Sequence, residues 1–185
     1  MASDKARIRI ELVNVHCYDT EDNLGGDEFY IVGGVIGGEQ RQVVLTKPID
    51  INDNQTKPFN PSEAVMFEGE ISLSETVHLG IAAFDEDFSA DWARYGQALK
   101  EMTNAINNLK PTPGQVGQQI IDTTSTAAQE VLKKIDPDDE LGQLTFSLPV
   151  SDLRNGDKPW DFEGGTWMGK WKYKVTYRVT KVAVS

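Results

Sequence analysis

The stretch KWKYKVTYRVTKV, residues 170–182, decides the fold class. Trp171, Tyr173, Val175, Tyr177 and Val179 alternate with Lys, Thr and Arg. A period of two places these two sets on opposite faces of a β-strand. One apolar face and one charged face is the pattern of an antiparallel sheet buried on one side. RIRIELVNV (7–15) repeats it with Ile8, Ile10 and Leu12. EFYIVGGVIGG (28–38) and RQVVLTKPI (41–49) read as two strands joined through Gly37-Gly38, a hairpin signal. AVMFEGEISL (64–73) and TVHLGIAAFDED (76–87) form a second hairpin, and LGQLTFSLPV (141–150) alternates Leu144, Phe146 and Leu148 with polar neighbours. Residues 50–63, DINDNQTKPFNPSE, carry loop chemistry. Several short strands separated by turn signals predict an antiparallel sandwich.

One region departs from period two. Trp92, Tyr95, Leu99, Met102, Ile106 and Leu109 are spaced 3, 4, 3, 4 and 3 apart, a single stripe along a helix. Asp91 or Ser89 can cap its start. After KPTPGQ, the residues Val116, Ile120, Ala127, Val131 and Ile135 carry a second stripe. Thr112 with Gln115 three residues on, and Pro113 at the first helical position, make a capping-box signature. Lys133 and Lys134 complement the dipole in the last turn. A helical hairpin at about residues 90–135 is therefore predicted inside an otherwise all-β chain.

The chain has 185 residues, 39% hydrophobic and 25% charged. That suits one soluble domain, 1–185, carrying an insertion. The net charge of −11 argues against nucleic acid, whose phosphates need a basic footprint. No apolar run reaches the length of a membrane span. MASDKARIRIEL lacks the regions of a signal peptide, so a cytoplasmic rather than secreted location is expected. Cys17 is the single cysteine, which excludes an internal disulfide and argues against a cysteine-based zinc site.

Three acidic clusters remain: Asp19 to Glu28, FDEDFSAD (84–91) and DPDDE (136–140). The first holds five carboxylates, Asp19, Glu21, Asp22, Asp27 and Glu28, around Asn23-Leu24-Gly25-Gly26. Connections between strands gather at the ends of a sandwich, where distant clusters can meet. Two carboxylates ~4 Å apart repel by roughly 4 kcal/mol at an effective dielectric of 20. A cation resolves that repulsion. Calcium accepts six to eight hard oxygen ligands in irregular loops, magnesium demands tighter geometry, and zinc prefers His and Cys. A solvated loop is the plainer account of any one cluster. Asp85 and Asp87 carry more weight, because Asp-x-Asp at a strand end points both side chains the same way.

These residues resemble C2 domains. DNLGGDEFYIV (22–32) is similar to the family's first calcium loop, in which two acids six apart lead into a strand with a Tyr. Asp22, Glu28 and Tyr30 take those positions, with Glu28 in place of an Asp, Phe29 in place of a Pro, and Asp27 as a substitute for Glu28. KPFNPSEAVMFE (57–68) resembles the family's Lys-x-x-Asn-Pro segment, FDED (84–87) its Asp-x-Asp third loop, and DELGQLTFSL (139–148) the segment closing that loop. The resemblance implies a C2-like sandwich of about eight strands in the permuted topology, with the helical hairpin inserted in the third loop. It implies a calcium shell of Asp22, Glu28 or Asp27, Asp85, Asp87 and Asp139. Asp19, Glu21, Asp91 and Asp138 are candidates for a second ion. It also implies calcium-dependent binding to an anionic lipid or a protein partner, with Leu24, Phe88 and Trp92 at the loop tips.

Two other functions compete. The hairpin can act as an interaction or effector element, although amphipathic helices usually cover their own domain. Trp160, Trp167 and Trp171 in PWDFEGGTWMGKW (159–171) can stack on sugars, although such aromatics more often plug a sandwich end. An enzyme is not expected: His16 and His78 lack a nucleophile partner in the sequence, and Cys17 points to the opposite strand face from His16.

Overall fold

The computed structural model describes residues 4–20, 26–86, 90–133, 140–165 and 169–184. Ten strands and two helices follow one another among them: β1 (Lys5–Asp19), β2 (Asp27–Gly37), β3 (Gln40–Leu45), β4 (Ile49–Ile51), β5 (Thr56–Pro58), β6 (Val65–Ser72), β7 (Thr76–Phe84), α1 (Tyr95–Asn108), α2 (Val116–Leu132), β8 (Glu140–Pro149), β9 (Gly156–Gly165) and β10 (Lys170–Ala183). The first sheet runs β5-β1-β10-β9, with β6 also paired to β1; the second runs β3-β2-β7-β8, with β4 paired to β2. All pairings are antiparallel.

Alternation builds the sandwich. Ile8, Ile10, Val15, Tyr173, Val175 and Val179 turn inward from the first sheet and meet Phe29, Ile31, Val35, Leu79 and Ile81 of the second. The outward face of the first sheet is laced with charge. Arg7 meets Glu70 at 3.0 Å, Arg9 meets Glu68 at 2.7 Å, and Arg178 meets Asp157 at 2.6 Å. The centre of the second sheet has no such wet face; its edge strand β8 exposes Gln143, Thr145 and Ser147. Nine consecutive residues of β2, Phe29–Gly37, are buried, because the helical hairpin lies on that sheet's outer side. Ala98, Met102, Ile121 and Ala128 cover Tyr30, Val32, Leu45, Ala82 and Phe84, while Ile106 and Ile120 cover Ile36. A sheet covered on both faces reads as a nearly continuous apolar run, as EFYIVGGVIGG and HLGIAAF do.

Polar contacts fix the hairpin in place. The Tyr95 hydroxyl donates to the Leu45 carbonyl at 2.6 Å. Arg41 Nη1 donates to the carbonyls of Ile106, Asn107 and Leu109 at 2.6, 3.1 and 2.7 Å, satisfying acceptors that the end of α1 leaves open. The predicted caps are realised differently. Trp92–Arg94 forms a 3-10 turn, and the Asp91 side chain makes no cap bond; Ser89 lies outside the described residues. Gln115 occupies the N-cap of α2 without a side-chain bond. Gln119 instead closes onto Thr112: its Oε1 accepts the Thr112 N–H at 2.8 Å and its Nε2 donates to Thr112 Oγ1 at 3.1 Å. The helix starts beyond Pro113, which moves the reciprocal partner one turn along.

Three further details differ from the sequence-based expectation. The β2–β3 turn is Gly38-Glu39, with φ +58° at Gly38, the positive φ that a two-residue hairpin asks of glycine at its first position. Short strands β4 and β5 interrupt the 50–63 loop. Finally, β9 runs through GDKPWDFEGG, where Pro159 is tolerated because β9 is an edge strand. No helix among the described residues is long and apolar enough to cross a membrane.

Candidate metal centre

The connections carrying the acidic clusters emerge at one end of the sandwich. There β1 ends at Asp19, β2 begins at Asp27, β7 ends at Phe84 and β8 begins at Glu140. The pleat sorts their acids. Asp27 shares the parity of Phe29 and Ile31 and faces the space between the sheets, where it is 0% exposed. Asp85 shares the parity of Ile81 and Ala83, faces the same space, and is 4% exposed. Glu28 and Glu86 take the alternate parity, that of Tyr30 and Phe84 on the helix side. Glu28 is exposed. The Glu86 carboxylate accepts bonds from the Ala90 N–H and the Trp92 indole N–H.

Two hydrogen bonds join the first and second clusters. The Glu28 N–H donates to Asp85 Oδ1 at 2.6 Å, and the Glu86 N–H donates to the Glu28 carbonyl at 3.2 Å. A third contact crosses the sandwich, where the Tyr173 hydroxyl of β10 donates to Asp27 Oδ2. Beside it, Cys17 faces Tyr173 across the strand pair. Burial pushes the Cys17 thiol up to about 11, and the Tyr173 hydroxyl opposes that rise while the Asp27 charge adds to it. Burial also raises the Tyr173 phenol, followed by its bond to Asp27. At the edge of the mouth, Asp53 Oδ1 accepts the Thr20 N–H and hydroxyl at 2.8 and 3.0 Å, which ties the 52–55 turn to the end of β1.

Of the sequence-derived site residues, Asp27 and Asp85 face the same inter-sheet space, while Glu28 reaches Asp85 only through its backbone N–H and turns its side chain to the other face of β2. Asp19 lies at the same end but is exposed and stands opposite Lys172. Asp91 is exposed at the foot of the hairpin. Trp92 is half-buried, edge-on to Tyr30 at 5.4 Å and bonded to Glu86, so its indole is engaged inside the protein. Asp22, Asp87, Asp138, Asp139, Glu21, Leu24 and Phe88 lie outside the described residues, as do Ile135 and Trp167. Among the described residues no three His, Cys, Asp or Glu side chains converge closely enough to hold a metal. The donors that are present suit a hard cation in kind. They are carboxylates, and the one nearby sulfur is kept as a thiol by burial.

Tyr173, Glu86 and Asp53 were not among the residues singled out from the sequence. Tyr173 was findable: alternation in 170–182 turns it inward, and a buried tyrosine hydroxyl needs a partner. Asp53 gave no signal beyond turn chemistry.

The other candidates have different neighbours. Trp160 is 5% exposed and packs on Phe162 at 4.5 Å between centroids. Trp171 donates from Nε1 to the Leu141 carbonyl at 2.8 Å. Both brace the aromatic layer beneath the mouth. His16 and His78 lie on strands, each bonded through Nδ1 to a cross-strand hydroxyl at 2.7 Å, Thr56 and Ser147 respectively.

The fold is an antiparallel β-sandwich of two sheets with a helical hairpin between β7 and β8. No protein-family model and no curated protein matches the sequence. Among solved structures the chain is similar to human GIVD cytosolic phospholipase A2 in complex with methyl gamma-linolenyl fluorophosphonate, with a TM-score of 0.43 and 10% identity over 100% of this chain and 18% of that one. It is also similar to the C2A domain of plant Extended Synaptotagmin 1, with a TM-score of 0.41 and 7% identity over 97% and 96%. A third likeness, to a C2 domain, has a TM-score of 0.35 and 11% identity over 95% and 98%. The chain therefore spans less than a fifth of the phospholipase.

Proposed function

We propose that this C2-like chain is a non-catalytic calcium-binding module whose acidic mouth mediates calcium-dependent binding to a membrane or protein partner. The observation that carries the reading is the junction of Asp27 and Asp85. Two acids 58 positions apart face the same inter-sheet mouth, linked through the Glu28 N–H bond to Asp85. The pleat favours Asp27 over Glu28 as the inner acid, since Glu28 lies on the other face of β2. Asp22, Asp87 and Asp139 are proposed to complete the shell, with Asp19 and Asp138 beside it. Calcium there would supply positive charge that neutralises the clustered carboxylates and can recruit an anionic group.

The apolar stripes of the hairpin are spent on the second sheet, which argues against a free effector surface. Two lysines of β10 stand opposite acids: Lys172 faces Glu163 and Lys174 faces Asp161. With the net charge at −11, the bound cation is the proposed source of attraction to an anionic surface.

Thermal unfolding in EDTA, calcium and magnesium tests the reading. Calcium at 100 times its dissociation constant is expected to stabilise the fold by about 2.7 kcal/mol, roughly 5–11 °C for a chain of this length. Asp85→Asn should abolish the shift. Anionic liposomes should then co-sediment the protein with calcium and not with EDTA. No shift with any divalent ion would defeat the proposal, and a shift without co-sedimentation would leave a protein partner as the target.

A further inference from the structure

We propose that β8 is a self-association edge. Two copies of this chain pair their β8 strands antiparallel around a two-fold axis at Thr145, joining their second sheets into one continuous sheet. The inference stands apart from the calcium reading. Among the described residues β8 pairs only with β7, so it ends its sheet with one row of backbone donors and acceptors left over. Such a row is a template for another strand unless charge, proline, shortness or a covering segment blunts it. The other edges of this sandwich are blunted. β9 carries Asp157, Lys158, Pro159, Asp161 and Glu163. β4 and β5 have three residues each. β3 and β6 close onto each other: Gln40 Nε2 donates to the Glu70 carbonyl at 2.8 Å, and Gln42 bonds both the carbonyl and the N–H of Glu68, at 2.8 and 2.9 Å.

β8 has none of these devices over most of its length. LGQLTFSL, residues 141–148, holds no charged residue and no proline. Its pairing with β7 runs unbroken from Gly142 to Pro149, and the one irregularity falls at its start. Gln143, Thr145, Ser147 and Leu148 are exposed. Among the described residues no backbone group of 142–148 is bonded to backbone outside the β7 ladder. Charge selects the occupant. A chain of net charge −11 repels a second copy unless the two meet where neither carries charge, and this edge is such a place. An axis perpendicular to the sheet keeps both helical hairpins on one side, and residues directly opposite then share a face. With Thr145 opposite itself, Gln143 stands opposite the second copy's Ser147, and Leu144 opposite its Phe146. Polar meets polar on the helix side and apolar meets apolar on the core side, as cross-strand pairs that stabilise a sheet do. A two-fold interface demands this self-complementarity.

Sedimentation equilibrium of the full chain across about 1 μM to 1 mM, the span of weak to moderate affinities, should show a monomer–dimer equilibrium. Thr145→Lys sets two ammonium groups opposite each other on the axis and should weaken the dimer by about tenfold, since like charges directly opposite destabilise a strand pair. Thr180→Lys, at an exposed position of β10, adds the same charge elsewhere and should not weaken it. Two double variants read the register. Gln143→Lys with Ser147→Glu places opposite charges across the axis twice, and Gln143→Lys with Ser147→Lys places like charges there. The first should dimerise roughly 2–30-fold more tightly than the second, although the second carries less net negative charge. Near-ultraviolet circular dichroism checks that each variant keeps the fold of the wild type. A wild-type chain that stays monomeric across the whole range would overturn the proposal. So would a dimer that Thr145→Lys leaves intact, or one that the two double variants weaken equally.

Discussion

A chain in which residues 92–132 are replaced by a short polar turn is expected not to reach a soluble, cooperatively folded state. The excision itself imposes no gap, because the Asp91 N–H already bonds the Leu132 carbonyl at 3.2 Å and the two ends of the hairpin meet. What is lost is the cover of the second sheet. Tyr30, Val32, Ile36, Leu45 and Phe84 are each 4% exposed or less, and all five face the helices. Burying side chains of this kind stabilises by roughly 1.5–3 kcal/mol each, so their sum is on the order of 10 kcal/mol. Whole domains are stable by only about 5–15 kcal/mol. Removing the helices also removes the entropy cost of ordering them, but that relief belongs to the deleted segment and does nothing for the bared sheet. A contiguous apolar face of this kind leads to association. Gel filtration and near-ultraviolet circular dichroism decide the matter. A monomer with wild-type aromatic signals and a sharp melt would mean that the sandwich stands without its helices.

The second large effect is expected from one methyl group. A Cβ at position 80, on β7, would lie 2.1 Å from the Gly117 carbonyl oxygen of α2 and 3.1 Å from Ile120 Cβ. The obstacle is backbone, so the helix itself must move. Gly80→Ala should destabilise by about 3 kcal/mol, the upper part of the range for overpacking, lowering the melting temperature by roughly 6–12 °C. Gly96 provides the control. It lies in α1, where an added Cβ would meet nothing within 4 Å, and Gly96→Ala should stabilise by ~0.5 kcal/mol through reduced freedom of the unfolded chain. Urea denaturation of the two variants should show midpoint shifts of opposite sign. Equal shifts would mean that α2 does not seat against β7 at this glycine pair.

The strands β1, β8 and β10 were legible because each keeps one face wetter than the other, and alternation survives only there. The helical stripes were legible for a related reason: Met102, Ile106 and Ile120 recur at helical spacing whatever they pack on. The strand β9 was not legible. Its Lys158-Pro159-Trp160-Asp161-Phe162 alternation is present, but Pro and the flanking glycines signal a turn unless the strand is known to lie at an edge. Nor could the sequence say what the hairpin covers. A stripe states that a helix is half-buried, not against which surface, and the double burial of β2 is the tertiary fact that answers it.

The candidate site divides in the same way. Its composition was set by the sequence: acids without histidine or thiolate, spaced around strand ends, donors that suit a hard cation in kind. Which acid faces the mouth was not. Asp27 and Glu28 are neighbours, and a one-residue choice of parity sends them to opposite faces of β2. That choice is fixed by Phe29 and Ile31 entering the core, which carries Asp27 inward with them, and by Tyr173 reaching it from the other sheet. Local pattern determined which residues could bind; the packing of two sheets against each other decided which of them meet, because contacts between distant strands exist only once the apolar faces have closed.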